Sequence, residues 1–164
     1  MPSIIVYARH AADLSRDEFI ERYPDAVFLA EPTQALDDSK YETISGRGGV
    51  AGGVVVAPLR KNPASNTLKD TITIGRMSDN DVVFKVGGVS KVHAFVRYEE
   101  GVPYLIDADS KFGTFVGERK VKPRTERVPL KVGESVAFGK LRATYYTAGA
   151  FHEFLNKASE INRA

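Results

Sequence analysis

The chain has 164 residues, 43% of them hydrophobic, and no cysteine. That length supports one domain with some decoration and the apolar fraction suffices for a packed core, while the missing cysteine excludes a disulfide framework and a thiolate metal site. The net charge of +2 hides an uneven spread: residues 1–45 hold nine acids against four bases, and residues 46–147 hold 17 bases against 10 acids, so an acidic lead precedes a body whose field favours anionic partners.

The run Ile4-Ile5-Val6-Tyr7-Ala8 is followed at once by Arg9 and His10, too short for the apolar block of a signal peptide. No apolar stretch approaches the roughly 20 residues of a membrane helix. A cytoplasmic protein without a membrane partner is therefore expected. A short helix is predicted over 14–23, because Ser15 and Glu18 form a capping box and Phe19, Ile20 and Tyr23 share one face. Pro24 ends it, and a short strand over 26–30 follows.

Residues 31–53 are rich in Asp, Ser, Gly and Thr with little apolar periodicity and read as a connection. The glycines between 46 and 53 lack the Gly-Lys-Ser/Thr of a P-loop and lead into a strand, where a phosphate cradle needs a helix start. From Gly53 the chain breaks into short β-rich runs over 54–59, 71–75, 81–85, 93–98, 102–107, 114–116, 135–138 and 141–147, with turn residues between them. Many short strands at close spacing predict a two-sheet sandwich. Phe151, Phe154, Leu155, Ala158 and Ile161 then form one helical stripe over 148–161, with Thr147 as its cap. That helix is expected to pack on the sandwich. The division predicted is 1–50 as an N-terminal α/β extension, 51–147 as the β-sandwich and 148–164 as the C-terminal helix.

Several loops of the sandwich hold residues suited to one phosphate group. Such a group carries about −1.5 to −2 charges at neutral pH and three strong acceptor oxygens, so it needs donors converging from different loops. Arg76, at a strand end, supplies paired donors that stay charged. Ser90 follows Gly87-Gly88-Val89 and adds a hydroxyl, and Lys91 and Lys111 add point charge.

Other chemistries find little support. The three histidines, His10, His93 and His152, are far apart and make no metal-ligand spacing. Ser90 and His93 are neighbours, but no nucleophile elbow accompanies them. The basic cluster Arg119, Lys120, Lys122, Arg124 and Arg127 lacks the interleaved aromatics that stack on bases. Neither an enzyme, nor a cofactor or metal, nor a nucleic-acid partner is expected.

The ordered set Gly75-Arg76, Asn80-Asp81-Val82, Ser90-x-x-His93, Asp109-x-Lys111-x-Gly113-Thr114-x-Val116 resembles the forkhead-associated (FHA) domain. The trailing Pro129-Leu130, Gly133-Glu134 and Val136-x-Phe138-Gly139 match its closing strands as well. The resemblance covers about residues 53–147 and implies an FHA-type all-β fold, a two-sheet sandwich whose end loops bind phosphothreonine peptides. It implies a phosphothreonine-binding signalling adaptor in a Ser/Thr kinase pathway, with Arg76, Ser90, Lys91 and Lys111 on the phosphate. Phe112, Thr114 and Gly117 would line the peptide surface, and Gly75, His93 and Gly113 would support the site, His93 in a structural role.

Two departures from the family pattern bear on chemistry rather than fold. Phe112 and Gly117 stand where the family usually has asparagine. Loss of one such hydrogen bond, worth about 0.5–1.5 kcal/mol net, would weaken binding about tenfold without abolishing it. Gly117-Glu118 still suits a type II′ turn. The alternative reading keeps the sandwich as a phospho-independent scaffold for unmodified partners. Thr33, in the acidic lead, is a candidate phosphoacceptor that would dock on the chain's own site or a neighbour's, giving autoinhibition or self-association through the N-terminal segment.

Overall fold

The computed structural model describes residues 2–31, 54–65 and 68–163, with side chains through 159. Thr33 and the glycine-rich 46–53 lie outside the described residues. Two helices open the fold, α1 (Ile4–Asp13) and α2 (Arg16–Arg22). Among the described residues eleven strands follow: β1 (Val27–Glu31), β2 (Val55–Pro58), β3 (Thr71–Gly75), β4 (Val82–Val83), β5 (Ala94–Glu99), β6 (Val102–Asp107), β7 (Thr114–Val116), β8 (Arg119–Lys120), β9 (Val128–Pro129), β10 (Ser135–Phe138) and β11 (Leu141–Tyr146). Helix α3 (Ala148–Arg163) closes the described chain.

The strands form two sheets, ordered β2-β1-β11-β10-β7-β8 and β4-β3-β5-β6-β9. Among the described pairs only β3 and β4 run parallel. Phe28, Ile74, Phe84, Val96, Leu105, Phe138 and Leu141 fill the space between the sheets. Phe28 and Phe84 meet Phe138 at ring distances of 5.5 and 5.8 Å. The two-sheet sandwich read from the spacing of the β runs is thus the observed fold.

A second apolar layer lies on the other side of the six-stranded sheet. Tyr7 and Ala11 of α1, Phe19 of α2 and Phe151 and Leu155 of α3 close over Val27, Leu29 and Val56. Strand β1 is therefore buried on both faces, Phe28 and Ala30 toward the sandwich and Val27 and Leu29 toward the helices. That explains its continuous apolar run. The sequence reading set this strand in the extension, whereas it pairs with β2 on one side and β11 on the other.

The predicted capping box is present, with Ser15 N–H donating to Glu18 Oε2 at 2.8 Å and Glu18 N–H to Ser15 Oγ at 3.2 Å. Thr147 Oγ1 accepts the Ala150 N–H at 3.3 Å at the start of α3. Helix α1 was not anticipated, and the two-residue strands β8 and β9 fall outside the strand runs read from the sequence.

Candidate functional site

Gly75 ends β3 where the chain runs against the β4–β5 loop. A Cβ there would collide with the Lys91 carbonyl oxygen and stand 2.8 Å from Asn80 Nδ2, so only glycine lets the two segments meet. Asn80, 3% exposed, fastens the contact: its Nδ2 donates to the carbonyls of Met77 at 2.9 Å and Lys91 at 2.7 Å. Arg76 N–H donates to the Ser90 carbonyl at 3.0 Å and Met77 N–H to that of Lys91 at 3.2 Å. The neighbouring Asp81 carboxylate accepts from Lys61 Nζ, Thr73 N–H and Asn62 N–H at 2.8, 2.8 and 2.7 Å. Burial pushes this carboxyl up, but those bonds outweigh it and hold Asp81 below its ordinary value.

Ser90 is the junction of three loops. Beyond the bond its carbonyl takes from Arg76, its Oγ accepts the Lys111 N–H at 3.0 Å and its N–H donates to His93 Nδ1 at 3.0 Å. His93 is fully buried and its Nε2 meets the Gly113 carbonyl at 2.9 Å. The Gly139 N–H, in the β10–β11 turn, reaches the same carbonyl at 2.8 Å. Arg76, Ser90, Lys91 and Lys111 are thereby gathered at one end of the sandwich, Arg76 and Ser90 half-buried, both lysines exposed. Lys111 Nζ stands 5.3 Å from the Phe112 ring centroid.

The β6–β7 loop is built on Asp107, a fully buried carboxylate. It accepts from Ser110 N–H at 3.1 Å, Ser110 Oγ at 2.6 Å and Thr114 Oγ1 at 2.5 Å. Ser110 Oγ in turn accepts the Gly113 N–H at 3.0 Å. This corrects the placement of Thr114 on the peptide surface, because its side chain is fully buried and its hydroxyl is spent on Asp107. Phe112 is 53% exposed and leans on Gly88 and Gly139, as a surface residue at the loop end should.

Gly117 lies at the other end of β7 from Phe112, its N–H donating to the Ser135 carbonyl at 2.7 Å. The structure does not bring these two positions together. Gly117 has φ 60 while Glu118 does not share a positive φ, the pattern of the expected type II′ turn between Val116 and Arg119. Asn80, Asp107 and Ser110 build the site although the sequence reading gave them no role in it. A carboxylate followed by a hydroxyl three residues on is the available signal for a loop closed on an Asp.

Among the described residues no group of three histidines, cysteines or carboxylates could hold a metal ion, and no helix is long and apolar enough to cross a membrane.

The fold and this loop cluster define a forkhead-associated module, and comparison with known proteins agrees. The profile of the FHA domain matches residues 72–139. The glycogen accumulation regulator GarA of Mycolicibacterium smegmatis is 30% identical over 144 residues, covering 83% of this chain and 87% of that protein. The chain belongs to the FHA-domain family. The oxoglutarate dehydrogenase inhibitor of Corynebacterium glutamicum is 26% identical over 131 residues, 76% of this chain and 89% of that one. The solution structure of the FHA domain of an Arabidopsis thaliana hypothetical protein has the same fold, with a TM-score of 0.51 at 17% identity over 75% of this chain and 85% of that chain.

Proposed function

We propose that this protein binds phosphothreonine-containing segments of partner proteins and acts as an adaptor for Ser/Thr kinase signalling. The single observation that carries the reading is Ser90, hydrogen-bonded at once to Arg76, Lys111 and His93. One half-buried hydroxyl is thus held among three loops, beside one guanidinium-bearing and two ammonium-bearing residues. A phosphate dianion takes charge-assisted bonds from such a set, and FHA domains use this mode of phospho-recognition. The names of the relatives, a regulator and an inhibitor, fit action by binding rather than by chemistry. Phe112 offers the ligand main chain an apolar contact where the family offers an amide.

Fluorescence anisotropy with a phosphothreonine peptide library and its unphosphorylated copy tests the reading. Binding is expected only for the phosphorylated set. Arg76→Ala should weaken it by about 30-fold or more, as loss of one partner of a charge-assisted pair does, and Ser90→Ala by about tenfold. Equal binding of both peptide sets would assign the loops to an unmodified partner surface instead.

A further inference from the structure

The five basic residues between 119 and 127 divide into two groups. Arg119 pairs with Glu126, and Arg127 pairs with Glu99 and lies 4.9 Å over the Tyr104 ring. Lys120, Lys122 and Arg124 are exposed, and among the described residues no carboxylate forms an ion pair with them. Glu126, the acid nearest to Arg124 in sequence, is already bonded to Arg119 and to the Lys122 N–H and feels the Lys122 charge only beside these; Glu118, two residues before Lys120, makes no ion pair with it among the described contacts.

These three cations sit on the recognition end. The β8–β9 loop is anchored by Val121 N–H to the Thr114 carbonyl at 2.8 Å and by Arg124 N–H to the Asp107 carbonyl at 2.9 Å. Asp107 and Thr114 are the two residues that bracket the β6–β7 loop. Lys120 runs over that loop: a Cβ at Gly113 would stand 2.8 Å from its Cε. The loop that carries Lys120, Lys122 and Arg124 is therefore held against the loop that carries Lys111, whose one exposed acid is Asp109. Arg124 also holds φ 59, a left-handed conformation that costs an arginine and not a glycine.

We propose that Lys120, Lys122 and Arg124 form an anion-binding subsite continuous with the phosphate site, so that the protein selects phosphothreonine segments flanked by Asp or Glu. The proposal rests on the phosphothreonine reading above and adds the chemistry of the flanking residues. Its support is charge complementarity, on a loop bonded at two points to the phosphate-site loop.

The test is anisotropy at physiological ionic strength with three peptides of equal length. One carries phosphothreonine among alanines, one carries three glutamates before it and one carries them after. One glutamate peptide should bind about tenfold tighter than the alanine peptide, the sum expected of two or three exposed charge pairs. In the double variant Lys122→Ala, Arg124→Gly that ratio should fall to about twofold or less, whereas Arg76→Ala weakens all three peptides together. A ratio near one in the unaltered protein, or one the double variant leaves unchanged, overturns the subsite and leaves phosphothreonine binding standing. Failure of every phosphopeptide overturns the parent reading and this one with it.

Arg124→Gly alone separates function from folding. Glycine accepts φ 59 and keeps the N–H for Asp107, so the thermal midpoint should hold or rise; a drop of several degrees would make Arg124 a structural residue. A short DNA duplex should not displace the glutamate peptide, and displacement would reassign the cations to nucleic acid.

Discussion

His93 joins two loops through bonds of opposite sense, and this fixes its proton. The Ser90 N–H can only donate, so Nδ1 accepts; the Gly113 carbonyl can only accept, so Nε2 carries the hydrogen. The folded ring is therefore neutral. Burial pushes its pKa below 6.5, against the opposing pull of the Gly113 bond and the Asp107 charge. In the unfolded chain the imidazole takes a proton near 6.5, so acidification from pH 7.5 to 5.5 protonates the unfolded state first. The His93 contribution is complete above 6.5 and is lost as the pH falls through the folded value. Denaturant titrations should show stability dropping across this window, and dropping less in His93→Gln, which also loses about 1–3 kcal/mol at pH 7.5 from imperfectly replaced buried bonds. Parallel pH slopes in the two proteins would remove His93 as the titrating group. The structure brings together Arg76, Ser90 and His93, which the spacing of a known loop set groups in the sequence. Thr114 was misplaced although period-two alternation with the inward Val116 puts it on the core face, and its role depends on a partner, Asp107, seven residues away.

At the level of elements, legibility followed locality. The α2 capping box and the β3, β6, β7 and β10 runs are set by neighbours in sequence, and they appear at the boundaries read from it. Helix α1 was missed although Ile4, Tyr7, Ala8 and Ala11 recur at helical spacing, because Ile4 to Ala8 is also a continuous apolar block, which masks the stripe. The place of β1 is a different matter. Its partner β11 lies more than 100 residues on, with Phe28 opposite Tyr145, and no local pattern states that pairing. Helix α3 was expected on the sandwich and packs on its outer face together with α1 and α2. Phe151 is its anchor, 1% exposed and within 5.5 Å of the Tyr7 ring and 6.2 Å of Tyr146. Phe151→Ala should destabilise by about 3–5 kcal/mol and lower the melting temperature by roughly 10 °C for a chain of this size. Phosphopeptide affinity at 15 °C should stay within about twofold, since Phe151 touches none of the recognition loops. A small thermal change would mean that the helical layer contributes little to stability, and a large loss of affinity would couple it to the loops.

Across the whole molecule the two ends differ in charge. Strand β11 begins at Leu141 beside the recognition turn and ends at Tyr146, whose ring stacks 5.0 Å from Phe154 of α3. The helices thus cover the far part of the sheet, and α1 and α2 carry Asp13, Asp17, Glu18 and Glu21 there against Arg9, Arg16 and Arg22, so that end is close to neutral. Lys91, Lys111, Lys120, Lys122 and Arg124 stand at the loop end. A dianionic ligand approaching a molecule whose cations gather at one end is drawn toward the loops before any contact forms, which speeds encounter more than it slows escape. Stopped-flow measurements with the phosphothreonine peptide in an alanine background separate the two. Raising the ionic strength from about 0.05 to 0.5 M shortens the screening length from roughly 14 to 4 Å, so the association rate should fall about tenfold while the dissociation rate changes less than about twofold. If dissociation instead carried the salt dependence, the cations would act by touching the bound peptide and would have no part in its capture.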